Sequence, residues 1–253
     1  MTRDIAAEVS YAGRIRVPSC VVPPTNRLVS VTGPSRCVGN SWQVHNIDMP
    51  NSNPISAWKA LREGNERFVG GESIHPSQGI ADRAKLVDAQ HPTAVLFGCG
   101  DSRVAAEIIF DQGLGDMFVV RTAGHVLDDS VLGSIEYAVH VLNVPLIVVL
   151  GHDGCGAVKA TLDALDKGAV PDGFIRSVIE RVAPSILMGR NEGLKTVDEL
   201  EGRHVVETGS LIMQRSRIIA DKVAKGECAI AGVTYTLSDG HMRLQGVVGE
   251  IGE

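Results

Sequence analysis

The chain has 253 residues, of which 44% are hydrophobic and 21% charged, proportions that are typical of a soluble globular protein. Its formal net charge of -6 gives no sign of the basic surface that a nucleic-acid-binding protein carries. No run approaches the roughly 18 apolar residues of a membrane span, and the first residues lack the apolar stretch of a secretory signal. Five cysteines, an odd number in a chain of this size, predict reduced thiols and a cytoplasmic location.

Residues 1–48 differ in pattern from the rest of the chain. Proline and glycine recur there, and neither helical nor strand periodicity persists beyond a few positions. We predict a disordered leader, or an upstream extension ahead of a start at Met49; a targeting or partner-binding arm is the alternative. Residues 49–253 are predicted to form a single domain.

From Met49 the hydrophobic pattern becomes regular. A helix is predicted to begin at Pro54, since proline is tolerated in a first helical turn, and to end at Gly70 and Gly71. Further helices are predicted at 81–89, 104–110, 130–142, 156–167, 174–188 and 197–225, the last with a possible break at Gly202. Strands are predicted at 93–98, 117–121, 145–150, 228–237 and 243–248, with a turn at 238–241.

The first strands are continuous apolar runs and do not alternate with polar residues. Such runs favour a parallel sheet that is covered on both faces, and the segment 243–248 returns after a turn as an edge strand. The predicted fold is therefore an α/β domain with a mostly parallel central sheet, flanking helices and an antiparallel edge strand.

Two short motifs directly follow two of these strands, Cys99-Gly-Asp-Ser-Arg103 and His152-Asp-Gly-Cys155. Ligands gather at the carboxyl ends of strands in an open parallel sheet. Two thiolates and one imidazole make a Cys₂His zinc set, and three protein ligands leave a fourth position for water, as in catalytic zinc sites. Each motif alone is a weak signal, because a buried cysteine is more often a small apolar residue, but the pair favours a zinc site.

Asp101 and Arg103 lie two residues apart beside the predicted metal. Arginine can bind a carboxylate with two parallel hydrogen bonds. A paired Asp101 would accept a hydrogen bond from a zinc-bound hydroxide and orient it, whereas an unpaired Asp101 could become the fourth zinc ligand in a closed state. A plain helix N-cap is the alternative, and both roles can hold at once.

The two motifs together resemble the signature of the β-class carbonic anhydrases. The resemblance extends over about residues 57–250 and includes Leu61-Arg-Glu-Gly-Asn-Glu-Arg-Phe68 and Glu136-Tyr-Ala-Val139. It implies a carbonate dehydratase that reversibly hydrates CO₂ to bicarbonate and a proton by zinc-hydroxide attack. It also implies an obligate homodimer, often a dimer of dimers, with active sites at the dimer interface.

The same resemblance implies the role of each site residue. Zn²⁺ would be held by Cys99, His152 and Cys155. Asp101 and Arg103 would form the catalytic dyad beside the metal.

Four further positions concern the substrate pocket. Gln90, Phe118 and Tyr137 match the plant-type branch of the family, in which a glutamine donates to the substrate and two aromatic residues line the pocket from the neighbouring subunit. Ala123 stands where plant members usually carry a larger valine, which predicts a looser apolar wall. Without the resemblance, Gln90 would be a plain helix-end residue and both aromatic residues would be core.

Four other residues have weaker or negative predictions. Leu96 replaces the tryptophan of the bicarbonate-regulated subtype, which argues against that subtype although Arg121 matches its arginine. His125 is a candidate proton relay, with a solvent-exposed loop histidine as the alternative. Cys228 begins a strand and is predicted to be inert core.

Two other functions remain open on the sequence. A carbonyl sulfide or carbon disulfide hydrolase could use the same scaffold, although Gln90 and Tyr137 favour CO₂. A non-enzymatic zinc or thiol redox sensor could switch by oxidation of Cys99 and Cys155, although an Asp101–Arg103 pair would bring it no obvious benefit.

Overall fold

The computed structural model describes residues 52–252. The predicted leader, 1–48, lies outside the described residues, and its disorder stays a prediction. None of the helices in the described part of the chain combines the length and hydropathy needed to cross a bilayer.

The described residues form alternating helices and strands in an α/β order. The helices are α1 (Pro54–Gly70), α2 (Ile80–Lys85), α3 (Ala106–Ile109), α4 (Asp129–Glu136), α5 (Gly156–Lys167), α6 (Ile175–Asn191), α7 (Val197–Arg215) and α8 (Arg217–Ala224). The strands are β1 (Ala94–Cys99), β2 (Met117–Thr122), β3 (Leu146–His152), β4 (Ala229–Tyr235) and β5 (Met242–Val248). A 3₁₀ turn, Ala123–His125, follows β2, and a π-helical turn, Tyr137–Val141, extends α4.

The five strands form one sheet in the order β2-β1-β3-β4-β5. The pairs β1–β2, β1–β3 and β3–β4 are parallel, and β4–β5 is antiparallel. This confirms the predicted mostly parallel sheet with an antiparallel edge. Gly98 in β1 pairs with Leu150 in β3, so the carboxyl ends of these strands, at Cys99 and His152, lie side by side.

The continuous apolar runs are explained by burial of both sheet faces. Every residue of β1 and β3 is buried. Successive residues of a strand point to opposite faces: Leu96 and Val148 pack into one core, and Phe97 and Val149 into another. Burial of one such side chain contributes about 1.5–3 kcal/mol, so this sheet is a rigid support for the loops at its end.

Several helix boundaries differ from the prediction, and α6 continues to Asn191, three residues beyond its predicted end. The helix α2 ends at Lys85, four residues early. The segment predicted as one helix over 197–225 is two helices, because α7 ends at Arg215 and the Ser216 side chain caps α8 by accepting from the Ile219 N–H. The possible break at Gly202 is wrong, since α7 continues through it.

Candidate metal centre

The three predicted metal ligands meet at the carboxyl ends of β1 and β3. Cys99 ends β1, His152 ends β3, and Cys155 stands at the N-cap of α5. One ligand atom from each of the three residues lies within 4.8 Å of the other two. Between the last two ligands, Gly154 has a φ of 61°, a left-handed conformation that glycine adopts without strain, and this turn brings Cys155 back to the cluster.

The imidazole of His152 is oriented with a free lone pair towards the two sulfurs. Its Nδ1 lies 2.9 Å from the Asp153 carbonyl oxygen, which can only accept, so Nδ1 carries the proton. Nε2 is buried and has no hydrogen-bond partner among residues 52–252. A buried imidazole lone pair between two sulfurs is the donor set that Zn²⁺ prefers. The chemistry of the site therefore fits a zinc ion.

The thiols of Cys99 and Cys155 shift each other's pKa in opposite directions. A hydrogen bond from the Cys155 thiol lowers the pKa of Cys99, against the opposing effect of burial. The same hydrogen bond and burial raise the pKa of Cys155. A metal binds the thiolate form of cysteine, so Cys99 is prepared for a cation and Cys155 would release its proton on binding.

Asp101 and Arg103 form a two-pronged ion pair at the edge of the cluster. Arg103 Nε and Nη2 donate to the Asp101 carboxylate over 2.9 and 2.7 Å, and the Arg103 backbone N–H donates over 2.9 Å. These bonds hold the pKa of Asp101 well below its usual range. Asp101 Oδ2 lies 3.9 Å from His152 Nε2, so the carboxylate borders the ligand cluster while the guanidinium retains it.

A second guanidinium supports the loop that carries this pair. Arg121 Nε donates to the Cys99 carbonyl oxygen over 2.8 Å, and Nη2 donates to the Asp101 carbonyl oxygen over 2.6 Å. From the sequence, Arg121 was only a match to another subtype of the family. In the structure it supports the turn between the first ligand and the dyad.

His125 is not the solvent-exposed loop histidine that was one of its two predictions. Its side chain has no exposed surface, and Nε2 lies 3.1 Å from Glu201 Oε1. The same oxygen accepts the His152 backbone N–H over 3.2 Å. Since His125 is enclosed, it has no direct contact with solvent through which to deliver a proton.

A buried polar cluster on α7, which was not predicted from the sequence, lies next to the candidate ligands. Glu201, His204 and Thr208 are all buried on this helix, and the His204 ring stacks on His125 with centroids 4.3 Å apart. Residues three or four apart share one helix face. The sequence does carry a signal for this cluster, because its three polar residues lie on the helix stripe that also carries Val205 and Ile212.

His204 has a defined tautomer. Its Nε2 lies 2.9 Å from the Gly124 carbonyl oxygen, an acceptor only, so Nε2 carries the proton. Nδ1, 2.8 Å from Ser185 Oγ, then accepts from the serine hydroxyl. Burial lowers the pKa of His204 to about 4, so the ring is neutral at pH 7.

The predicted pocket residues fall into separate groups. Ala123 is exposed and opens the 3₁₀ turn beside the Cys99–Asp101 loop. The rings of Phe118 and Tyr137 contact each other with centroids 6.3 Å apart, and Tyr137 is 47% exposed. Phe118 pairs with Val95, whereas Thr122 pairs with Cys99.

Phe118 therefore lies four residues before the end of β2 that is level with Cys99. At the rise of a β-strand, this corresponds to about 13 Å. Gln90 is exposed in the loop before β1. The structure thus places the candidate ligands, the dyad and Ala123 at one end of the sheet. The two aromatic residues lie together near the start of β2. Cys228 is buried, and burial raises its pKa to about 12, as expected of inert core.

The fold and site together define an α/β protein with a buried cluster of two cysteines and one histidine that could hold a metal ion. A family model described as carbonic anhydrase matches residues 94–242. Carbonic anhydrase of Mycolicibacterium smegmatis is 67% identical over 205 residues, which cover 81% of this chain and 100% of that protein. Carbonic anhydrase 2 of Mycobacterium tuberculosis is 65% identical over 81% of this chain and 99% of its own.

Solved structures show the same class. A Coccomyxa β-carbonic anhydrase, in complex with acetazolamide, matches 76% of this chain and 86% of its own with a TM-score of 0.59 and 25% identity. A β-carbonic anhydrase of Aspergillus fumigatus matches 74% of this chain and 88% of its own with a TM-score of 0.58 and 26% identity. The chain belongs to the carbonic anhydrase family, β class, and its enzyme class is that of the carbonate dehydratases.

Proposed function

We propose that Cys99, His152 and Cys155 hold Zn²⁺ and that the protein reversibly hydrates CO₂ to bicarbonate and a proton. The observation that carries this proposal is the ligand cluster, within 4.8 Å, beside a carboxylate that a guanidinium holds in place. A zinc ion with three protein ligands makes a water molecule acidic near neutral pH, as is known for carbonic anhydrases with three histidine ligands.

Asp101 would orient the attacking water. Arg103 occupies one side of its carboxylate with three N–H donors, and the remaining lone pairs are free to accept a hydrogen bond from that water. The low pKa of Asp101 keeps it an acceptor across the working pH range. The ion pair also competes with the metal for the carboxylate, so Arg103 would keep the fourth metal position open.

We also propose that Gln90, Phe118 and Tyr137 act in the site of a partner subunit, in a homodimer or a dimer of dimers. The separation of about 13 Å along the strand between Phe118 and the ligands supports this, as does the exposure of Tyr137. The Gln90 amide would polarise a CO₂ oxygen, and the two rings with Ala123 would line the apolar part of the pocket.

Complementation between subunits tests this arrangement. Cys99→Ser lacks a ligand and Gln90→Ala lacks the amide, so each homodimer should be inactive or nearly so. A mixed dimer regains one site with every group if the amide comes from the partner. Mass spectrometry verifies that the mixed dimer has formed. We then expect measurable CO₂ hydration from it. No recovery in a proven mixed dimer would place both groups in the same subunit's site.

The zinc proposal is tested on matched cysteine variants. Cys155→Ser should lose zinc and CO₂ hydration together, because two ligands make too weak a site, whereas Cys228→Ser should retain both. Metal analysis and stopped-flow CO₂ hydration on the same samples measure the two effects. Turnover of carbonyl sulfide, compared with that of CO₂, tests the substrate. Full zinc occupancy and activity in Cys155→Ser would overturn the assigned ligands.

We further infer a reducing compartment, the cytoplasm, for this protein. Cys99 and Cys155 are free thiols with sulfur atoms close together. Their oxidation would remove two of the three proposed ligands, so a metal centre of this type depends on an environment that keeps thiols reduced.

A further inference from the structure

A chain of hydrogen bonds runs from α6 and α7 to the sulfur of Cys99. Ser185 on α6 contacts Nδ1 of His204 on α7 over 2.8 Å. His204 Nε2 donates to the Gly124 carbonyl oxygen over 2.9 Å. The Gly124 backbone N–H donates to Cys99 Sγ over 3.4 Å. The proposed metal ligand is thus joined to the interior of the helical layer by three successive contacts.

Each link of this chain has one chemically allowed direction. The Gly124 carbonyl can only accept, so His204 must donate from Nε2. Nδ1 then has a lone pair, so the Ser185 hydroxyl must donate to it. Both side chains are nearly inaccessible, with 1% exposure for Ser185 and 3% for His204, which shields these bonds from competition by water.

The turn at Gly124 transmits this constraint to the sulfur. Gly124 has a φ of 61°, and a Cβ there would stand 2.5 Å from the Cβ of Ala157 on α5. The Cα of Gly124 therefore lies close against α5, and its carbonyl oxygen is bonded to His204. With its carbonyl held by the imidazole, the same residue presents its N–H to Cys99 Sγ.

We propose that His204 and Ser185 are positioning residues that act through Gly124 to hold the Cys99 sulfur ready for zinc. This inference rests on the zinc site of the proposed function. Removal of a group that orients a metal ligand through a hydrogen bond typically lowers metal affinity by about 10–100-fold. An N–H bond to sulfur also stabilises the sulfur lone pairs, which a spectroscopic probe can detect.

The variants His204→Ala and Ser185→Ala remove the two side chains, and His204→Gln restores an amide N–H donor at the position of Nε2. Ser216→Ala is the matched control: Ser216 is also buried, and its hydroxyl donates to Glu136 over 2.6 Å at the junction of α7 and α8. It removes a buried serine hydroxyl away from the ligands, and with it the cap of α8, so its loss of stability should be at least as large as that of Ser185→Ala. Comparison with this control separates positioning of the metal from general loss of stability.

Two measurements on the intact protein test the proposal. Competition with a chromophoric chelator gives the Zn²⁺ dissociation constant, which should rise about tenfold or more in His204→Ala and Ser185→Ala. It should return towards the wild-type value in His204→Gln and stay unchanged in Ser216→Ala. In Co²⁺-substituted protein, the sulfur-to-cobalt charge-transfer band of His204→Ala should move to lower energy, because Gly124 is no longer held in place and its N–H bond to the sulfur weakens.

The outcomes distinguish this inference from the proposed function. If the wild-type chain binds no zinc at Cys99, the proposed function fails and the inference fails with it. If the wild type binds zinc while Ser185→Ala and His204→Ala match Ser216→Ala in affinity and band position, the inference alone is overturned. If His204→Ala does not fold, Ser185→Ala, which removes only one hydroxyl, decides between the same two results.

Discussion

The substitution Glu201→Ala tests the buried carboxylate behind the ligand cluster. Glu201 is fully buried and its Oε1 accepts from His125 Nε2 and from the His152 backbone N–H. Burial alone would raise the pKa of this carboxyl, but the neighbouring His125 lowers it, so Glu201 is ionised at neutral pH. The position thus holds a buried charge that depends on its hydrogen-bond donors.

The expected loss in the free energy of unfolding follows from the two hydrogen bonds that Glu201 Oε1 accepts. Alanine leaves the His152 N–H and His125 Nε2 without their acceptor, and each buried donor left unsatisfied costs about 1–3 kcal/mol. The cavity left by the side chain adds to this loss. Glutamine keeps an oxygen acceptor but exchanges two charge-assisted bonds for neutral ones, a loss of about 1 kcal/mol for each bond. Glu201→Gln should therefore lose about 2 kcal/mol in the free energy of unfolding.

Urea unfolding at pH 7, at one protein concentration and with metal removed by a chelator, measures these free energies. Glu207→Ala is the control on the same helix: it removes a carboxylate that pairs with Arg203, which keeps Glu192 as a second partner, and should cost about 0–1 kcal/mol. The reasoning is refuted if Glu201→Ala costs less than about 1 kcal/mol or no more than Glu207→Ala.

Three further predictions concern the dyad, the pH dependence of stability and the leader. Arg103→Ala should keep its zinc but lose most CO₂ hydration, with the remainder shifted to higher pH, because Asp101 is released to compete for the metal; an unchanged pH profile in zinc-replete enzyme would reject this. Burial opposes ionisation of Asp111, yet Arg67 and two backbone N–H groups lower its pKa. A lowered pKa stabilises the fold above the unfolded value of about 3.9, so the melting-temperature advantage of wild type over Asp111→Asn should be full at pH 7 and vanish as pH falls through the folded pKa. Deletion of residues 1–48 should leave zinc content and CO₂ hydration unchanged; a large drop in either would show that this segment contributes to the enzyme.

Local patterns were sufficient to predict most of the helices and strands and to select the candidate metal ligands. The helix α1 begins at Pro54 and ends at Gly70, as predicted, because these start and stop signals depend on a few neighbouring residues. Cys99 and His152 were placed at strand ends from the apolar runs that precede them. The end of α7 was not found, because Ser216 ends one helix and caps the next through contacts with Glu136 and Ile219, the first of which lies far away in the sequence.

The amino-acid sequence by itself determined the α/β order, the donor types of three candidate metal ligands and the presence of an Asp–Arg pair beside them, since these depend on residue type and short spacing. Only the tertiary structure decided that β1 lies next to β3, which brings Cys99 to His152. It alone also revealed that Glu201 and His204 support the ligands from α7. The physical reason is that these contacts join residues about 50 to 80 positions apart, and their geometry is set by packing of whole elements on the sheet.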